Sequence, residues 1–405
     1  MASCHLRGEC VCEGGHSIIR PGRRVPVEKL RWTDRSRGPH AGGVTKSASL
    51  AALPWFSRPA ARAWTCVPAP VAVRSFHTSL PGYAPTPLVE LPDLAVELRV
   101  GRVFVKDESR RMGLPAFKVL GASWAAHRAL AGCARGTVTL VTATDGNHGR
   151  AVARTARLLG QRAHVFVAGG VHPAAVAAIA AEGARVTEAG TSYDAAVRRA
   201  SEAAAAPGAI LLQDTAWPGY ERVPGWICEG YSTLFAEAGA QLAEAGAHPP
   251  ALVAVPVGVG SLAQAAVTHY RGRPNGTPPA LLSVEPVTAA CALESLRRGR
   301  PVTVETGTTA MAGLNCGTLS GLAWPYLRDG LDAAVAVTDA ASAAAARDLA
   351  ALGISSGPCG AAALAGVRAA LGGDGGEARR AELSLGRAAT VVLLNTEGAA
   401  ANPHA

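Results

Sequence analysis

The chain has 405 residues, of which 49% are hydrophobic and 17% charged, ample for a packed core and enough length for two or three domains or one large α/β unit. Its formal net charge of +9 is concentrated at the start: residues 1–75 hold 12 Lys/Arg against 4 Asp/Glu, and the rest of the chain holds 27 against 26. The near-neutral remainder carries no nucleic-acid footprint, and the apolar stretch around 51–73 is interrupted by Pro54, Pro59, Pro68, Pro70, Arg58 and Arg62, which excludes a membrane span there.

Residues 1–75 are rich in Arg, Pro, Gly and Ser and show no sustained periodicity, which predicts a disordered extension or upstream sequence included by a misplaced start codon. Arg23-Arg24 lacks the apolar run of an export signal, and Cys10-x-Cys12 lacks a second pair at metal-site spacing, so no metal is expected. The nine cysteines are odd in number and dispersed, which fits a reducing, cytoplasmic setting. Order is expected to begin near Tyr83. A strand at 102–105 follows, then a helix at 119–130 and an alternation of strands (137–142, 163–167, 185–187, 210–212) with helices (149–159, 173–181, 193–205). Beyond these the pattern predicts a helix at 230–245, strands at 252–255, 281–284, 334–337 and 390–394, and helices at 262–270, 289–297, 341–352 and 361–371. Apolar strands alternating with helices of this length predict an α/β fold with parallel sheets covered on both faces.

Of the 39 basic residues only four are lysines, Lys29, Lys46, Lys106 and Lys118. Arginine replaces lysine as a surface charge but not as an amine that deprotonates and attacks a carbonyl. Lys118 lies between Phe117 and Val119 at a helix start, where desolvation would lower its pKa. The sequence alone leaves two readings for it, a nucleophilic amine or a lysine whose stem covers an apolar face.

Chemistry in open parallel sheets gathers at the carboxyl ends of strands, and three loops stand there. Thr144-Asp145-Gly146-Asn147-His148-Gly149 combines two glycines with a carboxylate and an amide; helix capping explains part of this set, and His148 reads as structural. Val257-Gly258-Val259-Gly260-Ser261, between a strand and a helix, would present backbone N–H groups to a small phosphate. It lacks the patterns of dinucleotide and nucleoside triphosphate loops. Gln213-Asp214-Thr215 supplies a second carboxylate, which could equally be a turn residue satisfying its own backbone. A lysine fit for a Schiff base together with a small-phosphate cradle suggests pyridoxal phosphate.

At these residues, over roughly 76–400, the chain resembles the pyridoxal-phosphate enzymes of the tryptophan synthase β-subunit fold (fold type II), and among them the diaminopropionate ammonia-lyases. The similarity runs through 83–88, 105–109, 116–123, 143–149, 213–220, 258–261, 284–286, 311–317 and 395–398, and its most specific part is Ala143-Thr144-Asp145-Gly146-Asn147-His148-Gly149, where related dehydratases usually carry serine in place of Asp145. The resemblance implies two α/β domains with the cofactor between them, a smaller one nested at about 120–215 and a larger one formed by about 76–119 and 216–405. It implies Lys118 as the Schiff-base lysine, Gly258, Val259, Gly260 and Ser261 around the phosphate, Asn147 on the ring hydroxyl, and Asp145 and Asp214 as bases on opposite faces of the substrate. The ring nitrogen is expected near Asn395 or Thr396. The implied reaction is α,β-elimination of 2,3-diaminopropionate by a homodimer. The alternatives are a serine or threonine dehydratase or another β-eliminating lyase of this fold, and, in a different class, a non-catalytic pyridoxal-phosphate-binding regulatory protein.

Overall fold

Long apolar runs become the central strands of the computed structural model, which describes residues 53–401 apart from 134–135, 145, 191 and 273–275. Eleven strands are described: β1 (Trp55–Ser57), β2 (Leu88–Glu90), β3 (Arg102–Asp107), β4 (Thr139–Ala143), β5 (Arg162–Val167), β6 (Arg185–Glu188), β7 (Ala209–Leu211), β8 (Leu252–Pro256), β9 (Ala280–Pro286), β10 (Ala333–Val337) and β11 (Thr390–Asn395). They form a seven-stranded sheet in the order β1-β10-β9-β8-β11-β3-β2 and a four-stranded sheet in the order β6-β5-β4-β7. Every residue of β8, β9, β10 and β11 is buried, as a strand covered by helices on both faces requires.

The expectation of parallel sheets holds for the smaller sheet and the inner five strands of the larger one. The larger sheet departs from it at both edges, where β1 runs antiparallel to β10 and β2 antiparallel to β3. Each edge strand has three residues, too few to show a period. β1 also corrects the boundary drawn at residue 75. Trp55, Phe56 and Ser57 pair with Val335, Ala334 and Ala333, Arg62 Nε donates to Asp332 Oδ1 at 2.6 Å, and a helix already spans Ala72–Thr78. Arg23-Arg24 and Cys10-x-Cys12 fall outside the described residues. Among the described residues no helix is long and apolar enough to cross a membrane.

Each sheet has one point where strand order reverses. In the smaller sheet the chain leaves β4 towards β5 and β6 and returns as β7 on the other side of β4. In the larger sheet it leaves β8 towards β9 and β10 and returns as β11 on the other side of β8. Such reversals open a crevice at the carboxyl ends of the two strands, where neighbouring loops diverge. The loops that follow β4, β7 and β8 are the three the sequence singles out, and the stretch at the end of β11 is where the resemblance places the ring nitrogen.

The helix Val119–Leu130 is fixed by its crossing with Arg222–Glu244. A Cβ on Gly230 would lie 2.5 Å from Leu120 O and 2.8 Å from Gly121 Cα, and one on Gly121 would lie 2.5 Å from the Tyr231 ring. The two glycines thus let the backbones touch. In Gly230→Ala, helix propensity favours alanine by about 1 kcal/mol. Displacing a backbone carbonyl in a packed core costs about 3 kcal/mol, so the clash wins and the melting temperature falls. A variant at least as stable as the parent in urea titration would refute this crossing.

Candidate active site

Lys118 precedes the helix Val119–Leu130 with φ −60° and ψ −20°. The chain leading to it is tied to the segment beyond β11: Ala116 bridges Glu397, Phe117 N–H donates to Thr396 O at 3.4 Å, and Gly398 N–H donates to Pro115 O at 2.9 Å. Held in this way, the Lys118 ammonium donates to Asp214 Oδ2 at 2.6 Å. The two side chains are 26% and 10% exposed, so the pair is sheltered yet open to a ligand on one side.

The electrostatics differ from the expectation of a lysine with a lowered pKa. Burial does oppose the Lys118 charge, but the Asp214 carboxylate outweighs it and holds the ammonium above its ordinary pKa. Asp214 behaves reciprocally. Burial pushes its pKa up, and the neighbouring cations hold it well below the usual carboxylate range. Lys118 is the partner responsible, because it lies at 2.6 Å whereas His148 lies at 3.7 Å and is itself kept neutral by burial. The apolar neighbours Phe117 and Val119 are visible in the sequence, but the pairing of the ammonium with Asp214, 96 positions away, is not.

The loops after β4 and β7 are knitted together. Gln213 Oε1 accepts from Ala143 N–H and Thr142 Oγ1, both at 3.0 Å, and the Tyr220 hydroxyl accepts from Gln213 N–H at 2.9 Å and donates to Leu211 O at 2.9 Å. Asp214 O accepts from Ser261 Oγ at 3.1 Å, which links this pair of loops to the one after β8. Thr144 Oγ1 accepts from the N–H groups of Gly146 and Gly149 and so shapes the turn; Asp145, between Thr144 and Gly146 in sequence, lies outside the described residues. Asn147 opens the helix Asn147–Leu158 and donates from Nδ2 to Glu397 Oε2 at 2.8 Å.

The loop after β8 enters the helix Ser261–Arg271 through Gly260, whose φ of +98° favours glycine. Among the described residues the N–H groups of Gly258, Val259, Gly260, Ser261, Leu262 and Ala263 donate to no backbone carbonyl. A Cβ on Gly258 would lie 2.9 Å from Gly313 O, so only glycine lets this loop pack against the 311–314 segment. Free N–H groups at a helix start, carrying its positive end, form a cradle suited to one phosphate.

Beyond β11 the structure separates neighbouring residues by role. Asn395 is fully engaged, its Nδ2 donating to Asp107 Oδ1 and Ser355 O and its Oδ1 accepting from Ser356 Oγ, each at 2.8 Å. Thr396 is buried and its carbonyl holds the Lys118 segment. Glu397 was not singled out in the sequence, yet it is buried beside Lys118, accepts from Cys359 N–H at 3.2 Å and fixes the Asn147 amide. Burial pushes its pKa up. The only sequence signal for it was its place in the 395–398 stretch, because its partners come from three distant segments.

A family model described as pyridoxal-phosphate dependent enzyme matches residues 79–396. A diaminopropionate ammonia-lyase of Salmonella typhimurium is 39% identical over 295 residues, covering 67% of this chain and 73% of that protein. One of Escherichia coli is 35% identical over 352 residues, covering 80% and 87%. The crystal structure of the Escherichia coli diaminopropionate ammonia-lyase in complex with an aminoacrylate–PLP azomethine reaction intermediate superposes with a TM-score of 0.75 at 34% identity, covering 82% of this chain and 89% of that one.

Proposed function

The chain belongs to the pyridoxal-phosphate-dependent enzymes, and we propose that it is a diaminopropionate ammonia-lyase, which converts 2,3-diaminopropionate to pyruvate and two ammonia by α,β-elimination. The observation that carries this reading is the Lys118–Asp214 pair, 2.6 Å apart, joined through the Ser261–Asp214 hydrogen bond to an unsatisfied helix N-terminus.

The residues present fit pyridoxal phosphate. Lys118 supplies an amine for its carbonyl, and Gly258, Val259, Gly260 and Ser261 would hold its phosphate with N–H groups that have no other backbone acceptor among the described residues. Asn147 has a second amide hydrogen, beyond the one given to Glu397, to offer the ring hydroxyl. Thr396 is our assignment for the ring nitrogen, since Asn395 is already engaged. The bound cofactor supplies an electron sink that makes the substrate α-proton removable.

The protein's own part is proton handling and orientation. Asp214 accepts a proton at Oδ2, and Lys118 beside it keeps that oxygen ionised until it is needed. Asp145 would be the second base, acting on the opposite face and so on the opposite enantiomer. A β-amine leaves readily only when protonated, so carboxylates serve both as proton donors and as partners for the substrate ammonium. That demand explains Asp145 where an enzyme acting on hydroxy amino acids has serine.

We assign residues of about 120–215 to a smaller domain and about 76–119 with 216–405 to a larger one; the four-stranded sheet, whose strands all lie between residues 139 and 211, supports this. We also assign the protein to the cytoplasm, a reading supported by six free cysteines among the described residues, and to a homodimer, which light scattering tests. The function is tested by pyruvate release from D- and L-diaminopropionate against D- and L-serine. Diaminopropionate is expected to be the better substrate by kcat/KM, and a large preference for serine would move the assignment to a dehydratase.

A further inference from the structure

His148 is buried behind Asp214, and its two ring nitrogens have different surroundings. Nε2 lies 2.8 Å from Leu212 O, an acceptor only, so this nitrogen carries the hydrogen. Nδ1 is then a bare lone pair with no hydrogen-bond partner among the described residues, and it faces Asp214 Oδ2 at 3.7 Å. The same oxygen receives the Lys118 ammonium at 2.6 Å. A buried acceptor directed at a carboxylate is costly unless a proton can come between them.

We propose that His148 is the proton partner of Asp214: when Lys118 turns away from the carboxylate, a proton accepted by Asp214 Oδ2 passes to His148 Nδ1, and the imidazolium replaces the ammonium as counter-ion. The exchange leaves Asp214 ionised again and moves no electrons. The inference rests on the reading of Asp214 as a base, and it gives the collected proton a place other than Lys118. A separation of 3.7 Å closes to hydrogen-bond length by a small rotation of the carboxylate once Lys118 no longer holds it, as catalytic contacts tighten on loading. Among the described residues no other charged group competes for the position. Tyr220, Tyr231 and Cys228, the remaining titratable groups near Asp214, are kept neutral by burial, and Arg150 on the His148 helix turns to Glu182. His148 acts through Asp214 and is a positioning residue.

The test uses histidine ring 15N shifts in the cofactor-free protein. Wild type is expected to show His148 neutral at pH 7 with its hydrogen on Nε2. In Lys118→Ala both nitrogens should be protonated at pH 7, the midpoint having risen by about one to three pH units, and adding Asp214→Asn should reverse the rise. An imidazole that stays neutral in Lys118→Ala, or carries its hydrogen on Nδ1 in wild type, overturns the proposal. In the loaded enzyme, His148→Gln keeps a donor for Leu212 O but offers nothing titratable towards Asp214, and kcat is expected to fall roughly 10- to 100-fold with KM and the visible cofactor spectrum unchanged. Loss of cofactor loading in step with kcat would point to a structural role and overturn it as well. Failure of the broader reading would look different, as a wild-type protein that takes up no pyridoxal phosphate.

Discussion

Lys118→Ala is expected to lower kcat for diaminopropionate by about 10⁴-fold or more, the scale on which removal of a covalent catalytic group acts. The substitution removes the only amine positioned in the described crevice, while the glycine loop and the helix start at Ser261 remain. Pyridoxal phosphate should therefore still bind through its phosphate, more weakly and without a covalent link. Borohydride treatment followed by peptide mass spectrometry separates these contributions: wild type yields a cofactor-modified peptide containing Lys118, and the variant yields none. Folding should survive, since the Lys118 side chain makes one described hydrogen bond and is 26% exposed. A variant that keeps a modified peptide, or more than a few per cent of the wild-type rate, would place the nucleophile elsewhere.

Much of this was legible from composition and period. The wholly buried strands β8 to β11 read directly as apolar runs, and the scarcity of lysine singled out Lys118. The same scarcity argument covers Lys106, which is fully buried with its ammonium 2.7 Å from Glu237 and shares that carboxylate with Arg111. What could not be read is what long-range packing decides. The helix expected at 230–245 spans Arg222–Glu244 and carries Pro224 in its first turn. Proline is tolerated in a first helical turn, where its missing N–H has no intrahelical acceptor anyway. Gly230 is set by contact with Leu120, more than a hundred positions earlier in the chain. Glu397 is similar: its carboxyl has a role only because residues 147, 359 and 118 arrive around it. The raised pKa of Lys118 also depends on a partner that no local window contains.

Asp214→Asn is expected to reduce kcat by about 10² to 10⁴-fold, the usual contribution of a positioned acid–base group, while Lys118 and the phosphate loop still load the cofactor. The variant also inverts the electrostatics of the lysine. With the carboxylate gone, desolvation becomes the dominant influence on Lys118, with only the weaker fields of Cys316 and Cys359 against it, so its pKa should drop and the free amine should react with the cofactor carbonyl at lower pH than in wild type. The signs for stability follow from the same pair. Asp214 has a depressed pKa in the folded state, so it contributes stability above its unfolded pKa, near 4, and loses it as pH falls through the folded value. Lys118 has a raised pKa, so its contribution is present below its unfolded value, near 10.5, and is lost as pH rises through the folded one. The stability difference between wild type and Asp214→Asn should therefore be a plateau between those limits that shrinks on both sides. Urea titrations of both proteins across pH measure that difference directly, because groups common to the two cancel. A difference that grows below pH 4, or a kcat within threefold of wild type, would mean that the carboxylate 2.6 Å from Lys118 is neither its counter-ion nor a base.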